Sequence, residues 1–205
     1  MTAADFRARQ RIEANDSGSV YADALYDGWR DDALATISRA VPFAKTAAIA
    51  VVDGTTEYAL PTDWITSSSD DLALDGNPLY RLTTNTGAIL VLGTDVTIRG
   101  RTLVLWSDPD YTGNWTLTYG GTWLITDLPN DWVPIALDVA TSRVYDRRAT
   151  EAAAFFSYDN GVEKVDRRAE AEKWVLLRDQ RLATATAAIA ALTGDALGTF
   201  RFERT

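Results

Sequence analysis

The hydrophobic period of this 205-residue chain changes twice, dividing it into three stretches that cannot share one kind of secondary structure. In residues 1–44, Ala22, Leu25, Trp29, Ala33, Ile37 and Ala40 recur at spacings of three and four, which stacks them on one helical face. Residues 45–127 break into short β-branched and aromatic runs bounded by Gly and Asp. From residue 128 the helical period returns, with Val133, Leu137, Ala140 and Val144 on one stripe. Strands segregated between helices make an α+β fold, a helical bundle of N-terminal and C-terminal helices carrying an inserted antiparallel β domain. The expected division is 1–44 for the N-terminal helices and 45–127 for the β domain. It continues with 128–193 for C-terminal helices packing on 1–44, and 194–205 for an extended tail.

Local signals refine this division. A helix is expected over about Ala3 to Ala14, with Arg7, Arg9 and Arg11 solvated, and another over Val20–Ala40 with Ser19 as N-cap and Pro42 as its end. Asp53-Gly54 reads as a type I′ hairpin turn between Thr46–Val52 and Thr55–Leu60, and Asp75-Gly76 repeats the device between Asp70–Leu74 and Pro78–Leu82. Arg99-Gly100 marks a third hairpin, and Asn114–Tyr119 a further strand. Asp131 is a candidate N-cap, which leaves Pro134 in a first turn that needs no intrahelical N–H. After Asp159-Asn160-Gly161 a long helix is expected over Val162–Leu192 with two apolar stripes. One is Val165, Ala169, Leu176, Ala183, Ala187 and Ala190; the other is Trp174, Leu177, Ala185, Ala188 and Leu192. Two stripes imply contacts on two sides; the second could belong to the protein's own core or to a neighbouring subunit, and we assign it to subunit contact. Gly194 and Gly198 are expected to end regular structure.

The chain has no His and no Cys, which excludes disulfides, imidazole and thiolate metal sites, and Ser-His or Cys-His nucleophiles. Only Lys45, Lys164 and Lys173 supply lysine, and no Gly-rich loop precedes one, which disfavours nucleotide and Schiff-base chemistry. Asp108-Pro109-Asp110-Tyr111-Thr112-Gly113 begins like a calcium loop but has Tyr119 where the bidentate Glu belongs, so it reads as a turn. Asp31-Asp32 and Asp70-Asp71 are adjacent acids whose side chains diverge, unlike a glycosidase pair. No cofactor, no metal and no catalytic activity are expected. The longest apolar runs, Ala47 to Val52 and Ala187 to Leu192, fall far short of the ~20 residues of a membrane span, and Met1 to Arg7 does not read as a signal peptide. Net charge is −9, of which residues 45–127, with 4 basic and 10 acidic side chains, hold −6. A surface of that sign repels phosphates, though DNA can slide past it.

Leu60-Pro61-Thr62-Asp63-Trp64-Ile65 is echoed by Leu128-Pro129-Asn130-Asp131-Trp132-Val133, two Pro-fixed, Trp-anchored corners at the junctions of the β domain. Phe200 and Phe202 alternate with Arg201 and Glu203 beyond the last helix, a pattern suited to docking as an edge strand or in a groove.

Helices first, then a β insertion introduced by Tyr58-Ala59-Leu60-Pro61-Thr62-Asp63-Trp64 and continued by Leu74-Asp75-Gly76-Asn77-Pro78-Leu79, then helices begun at Leu128-Pro129-Asn130-Asp131-Trp132: this order resembles the head-to-tail connector (portal adaptor, neck) proteins of tailed bacteriophages. The resemblance implies a structural virion protein, made in the host bacterial cytoplasm, that forms a homo-oligomeric ring of about twelve copies under the portal protein. Such a ring extends the DNA channel, through which double-stranded DNA passes without specific binding, and joins a tail-side neck, stopper or nozzle protein. It further implies that Thr199, Phe200, Arg201, Phe202, Glu203 and Arg204 engage the portal, and that the long helices build the ring wall. No membrane is involved. The rival reading is a carbohydrate- or receptor-binding module of a phage tail fibre, with Trp106, Trp115 and Trp123 as stacking platforms.

Overall fold

The computed structural model describes residues 1–16, 20–65, 81–91, 93–154, 157–159, 164–166 and 168–199. The fold is α+β, with helices at both ends of the chain and antiparallel sheets between them. The chain forms two compact units, one of residues 1–40 and 123–205, the other of residues 41–122.

In the helical unit, α1 (Ala3–Glu13) starts on a capping box in which Thr2 accepts from the Asp5 N–H and Asp5 accepts from the Thr2 N–H. The second helix, α2 (Asp23–Ala40), begins three residues later than its sequence period suggests, and the proposed Ser19 cap lies outside the described residues. The two helices are riveted by charge: Arg7 and Arg11 both pair with Asp23. Each of these guanidiniums is mostly covered, so the expectation that they are solvated is corrected; acids on the facing helix supply their partners. The buried face of α2 is Tyr26, Ala33, Leu34, Ile37 and Ser38, while Leu25 is 44% exposed. That face is rotated from the expected stripe because Tyr26 buries its ring and satisfies its hydroxyl on Asp16 at 2.5 Å.

The third helix, α3 (Val133–Ala154), is the axis of this unit. Twelve of its residues are buried, all round the helix in its first half, as expected of a helix packed on several sides. Its core gathers Phe6 of α1, Ala33, Leu34 and Ile37 of α2, and Ala185 of α4 (Arg168–Thr199). The long helix expected from Val162 starts instead at Arg168. Lys164–Asp166 forms strand β9, paired antiparallel with β8 (Ser157–Asp159), because Lys164-Val165-Asp166 alternates at period two. The expected stop at Gly194 falls inside α4, whose backbone runs on to Thr199. Gly198 falls inside it as well; at about 1 kcal/mol lost per helical Gly, an otherwise Ala-rich helix accommodates the two.

The β unit has a four-stranded sheet in the order β1 (Phe43–Val51), β7 (Gly113–Gly121), β3 (Arg81–Thr83) and β4 (Ile89–Leu90). A second, three-stranded sheet runs β2 (Glu57–Ala59), β6 (Thr102–Leu105), β5 (Val96–Arg99). Side chains of both sheets share one core, with Ile49, Val51, Leu82, Trp115 and Leu117 from the first and Tyr58, Val96, Ile98, Leu103 and Leu105 from the second. The Asp53-Gly54 turn is not the expected I′ hairpin. Gly54 has φ +74 but Asp53 does not share a positive φ, and the strands it joins belong to different sheets. At the third turn Gly100, with φ +60, sits first in the two-residue loop between Arg99 and Thr102, the II′ arrangement. The Asp75-Gly76 turn and Asp70–Leu74 lie outside the described residues.

Candidate assembly surfaces

Three sequence features were candidates for contact with other molecules: the double-striped helix, the aromatic tail and the tryptophans. On α4, the stripe assigned to subunit contact turns inward. Ala185 is 1% exposed within the helical core, and Ala188 and Leu192 pack against it. Trp174 stacks on Tyr145 of α3 with 5.5 Å between centroids and 22° between planes, and Arg148 lies 4.9 Å from the Trp174 ring. Of the residues assigned to a neighbouring subunit, Trp174, Ala185, Ala188 and Leu192 therefore meet the chain's own helices instead, which corrects the assignment for them; Leu177, on the same stripe, is half-buried.

Arginines clamp the same face. Arg178 bonds Asp146 at 2.9 Å, and Arg181 reaches both Asp138 of α3 and Glu13 of α1, the latter at 2.6 Å. Burial works against the Arg181 charge, yet the hydrogen bonds to Asp138 and Glu13 raise its pKa above the usual arginine value. Spacing alone did not reveal these clamps, although Glu13, Asp138 and Asp146 were all visible as acids on neighbouring helices.

The stripe left open is the first one. Ala169, Leu176, Ala183, Ala187 and Ala190 are exposed, Leu176 by 58%. From Leu182 to Thr193 the helix carries no charged residue, a run that a sequence scan for charge would have found. Val165, the first member expected on that stripe, lies in β9. Of the candidate tail, Thr199 ends α4, and Phe200, Arg201, Phe202, Glu203 and Arg204 lie outside the described residues.

The three tryptophans part company. Trp115 is 8% exposed inside the β core, and Trp123 packs edge-on against Trp132 at 5.3 Å. Trp115 is thus closed to stacking, while Trp123 is half-buried. Trp106, directly after β6, is 61% exposed, with its backbone N–H held by the Asp95 carbonyl at 2.9 Å.

The two Leu-Pro-x-Asp-Trp corners do fold alike. Trp64 N–H bonds the Pro61 carbonyl at 3.1 Å and Trp132 N–H bonds the Pro129 carbonyl at 3.0 Å. Each indole then packs on an aromatic neighbour, Trp64 on Tyr119 and Trp132 on Trp123. Asp63 also clasps the end of the four-stranded sheet, taking Lys45 Nζ at 2.6 Å and the Tyr119 hydroxyl at 2.8 Å. Burial opposes its charge, but Lys45 and Tyr119 hold the carboxyl below the usual carboxylate range. Burial, with the adjoining Asp63 carboxylate, pushes the Tyr119 hydroxyl up to about 12. Both corners are turns anchored by a packed indole.

Among the described residues, no helix is long and apolar enough to cross a membrane. No family model matches the chain, and no curated protein does. Among solved structures, the chain is similar to one in the neck of an empty GTA particle computed with C6 symmetry. The TM-score is 0.30 and the identity 15%, over 85% of this chain and 88% of that one.

Proposed function

We propose that this chain is a structural virion protein, a head-to-tail adaptor that forms a ring under the portal, extends the DNA channel and joins a tail-side neck protein. The observation that carries the reading is the open face of α4. Leu176, Ala183, Ala187 and Ala190 lie exposed on a helix whose opposite face packs on the chain's own helical core. Small side chains let a neighbouring helix approach closely, and the absence of charge over 182–193 removes repulsion between copies of a chain whose net charge is −9. The order of helices, inserted antiparallel β unit and helices supports the same reading, as does the resemblance of its two corners to those of connector proteins. On this proposal the segment from Thr199 to Arg204 engages the portal.

Native mass spectrometry and negative-stain imaging, with and without the cognate portal, test it. Rings, formed alone or on the portal, are the expected result; monomers under both conditions overturn the proposal.

A second reading, a carbohydrate- or receptor-binding tail module, has one observation in its favour, the open ring of Trp106. Glycan-array binding lost in Trp106→Ala would establish it; no glycan binding rejects it.

A further inference from the structure

Of the four helices, α1 gives the core least. Only Phe6 and Gln10 of its eleven residues are buried, against twelve buried residues in α3. Phe6 is the one large apolar side chain among them, in a cluster with Ala33, Ile37, Ala136 and Ala140, and Met1 and Ala3 pack on that cluster only in part. Gln10 is fully covered but half-satisfied. Its Nε2 donates to the Ala140 carbonyl of α3 at 3.2 Å, while its Oε1 has no hydrogen-bond partner. An amide oxygen buried in that way opposes docking, because undocking returns it to water.

The other fastenings are polar. Along α2, Arg7 and Arg11 pair with Asp23, Arg7 also lies 3.4 Å from Asp27, and Arg11 reaches the Tyr21 carbonyl at 3.2 Å. At the C-terminal end of α1, Arg181 of α4 takes Glu13 at 2.6 Å. There the Tyr145 hydroxyl donates to the Glu13 carbonyl at 3.1 Å, and Arg148 to the Ala14 carbonyl at 2.7 Å. The Asp23 side chain, which holds two arginines, is 62% exposed, so these pairs are weak and open to screening by salt.

We infer that α1 is a releasable strap: it leaves α2 and α3 as one unit, before the rest of the helical unit opens, and ionic strength sets how often. A helix of eleven residues is marginal in water without partners, so α1 melts when it undocks and its amide hydrogens exchange. Release uncovers the apolar seat of Phe6, so the strap governs when that part of the core is open to another molecule. The inference stands apart from the ring, since every contact it uses lies within one chain.

Hydrogen–deuterium exchange on the full chain tests it, at low ionic strength and at about 1 M salt, where the screening length falls to ~3 Å. Amides of α1 should exchange faster than those of α3 at low salt, and roughly tenfold faster again at high salt, while α3 keeps its rate. Asp23→Asn should bring the faster α1 exchange at low salt and blunt the response to added salt. Gln10→Met, which removes the unpartnered oxygen at similar size, should slow α1 exchange. Exchange of α1 in step with α3 under both conditions overturns the strap, because α1 would then open only with the whole unit. Fast α1 exchange that neither salt nor Asp23→Asn alters overturns its ionic control. Faster exchange in Gln10→Met counts against the inference too, since the amide would then be holding the helix down.

Discussion

The indole of Trp174 lies stacked on the ring of Tyr145, 5.5 Å between centroids, with the Arg148 guanidinium 4.9 Å from the same indole. This triple layer joins α4 to α3 at the end of the helix pair nearest the β8–β9 hairpin in sequence. It decides which of the two stripes on α4 belongs to the chain's own core.

Removing the indole should therefore cost fold stability. Trp174→Ala is expected to destabilise the protein by about 2 kcal/mol, less than for a fully buried Trp because the ring is only half-covered. Leu176→Asp, two residues away but exposed, should change stability by no more than ~0.5 kcal/mol. Urea denaturation of both variants reads the difference. Equal effects would mean that the two faces of α4 are not distinguished as described.

The converse experiment addresses assembly. Ala187 is exposed on the charge-free face, and glutamate is a good helix former, so Ala187→Glu should keep the monomer's thermal midpoint. Placing an acid where copies of a chain of charge −9 approach one another should abolish the ring in native mass spectrometry. A ring that forms normally in the Ala187→Glu variant would remove α4 from its wall.

The sequence carried the α+β arrangement clearly, because the change of hydrophobic period at Lys45 and again near Leu128 is a local property of the chain. What it did not carry was orientation. Spacing on α4 shows two stripes but not which one meets α3, since that depends on Tyr145, Asp138 and Asp146 on another helix. The same holds for α2, where Tyr26 displaced Leu25 from the core only because Asp16 stands ready to bond its hydroxyl. Lys164-Val165-Asp166 shows the limit for short runs, which fit a helix stripe and a strand equally well. No motif marked the face that α4 leaves open; its charge-free run at 182–193 is a feature of composition.

The clasp of Lys45, Asp63 and Tyr119 predicts two limits of pH stability in the β unit. Asp63 has a folded pKa below its unfolded value, so its contribution is present above the unfolded pKa of about 4 and is lost as pH falls through the folded value. Tyr119 is raised in the fold to about 12, so its contribution is complete below an unfolded value of about 10 and is lost as pH rises through the folded one. Thermal midpoints measured from acid to alkaline pH should show a shallower acid limb in Asp63→Asn. A shallower alkaline limb is expected in Tyr119→Phe. An acid limb identical in wild type and Asp63→Asn would show that the carboxylate does not report on folding.

Deleting Phe200–Thr205 separates the proposed portal contact from the fold. The helix α4 reaches Thr199, and the core contacts described for it, at Ala185, Ala188, Ile189 and Leu192, all lie before the cut, so truncation after Thr199 keeps them. The truncated chain should keep the stability of the full chain within ~0.5 kcal/mol. Its capture by immobilised portal should be lost, because Phe200 and Phe202 are the two large apolar side chains in the removed segment and aromatic anchors dominate small interfaces. Phe200→Ser with Phe202→Ser should reproduce that loss without shortening the chain. Capture that survives both changes would assign the portal contact to the helical wall instead of the tail.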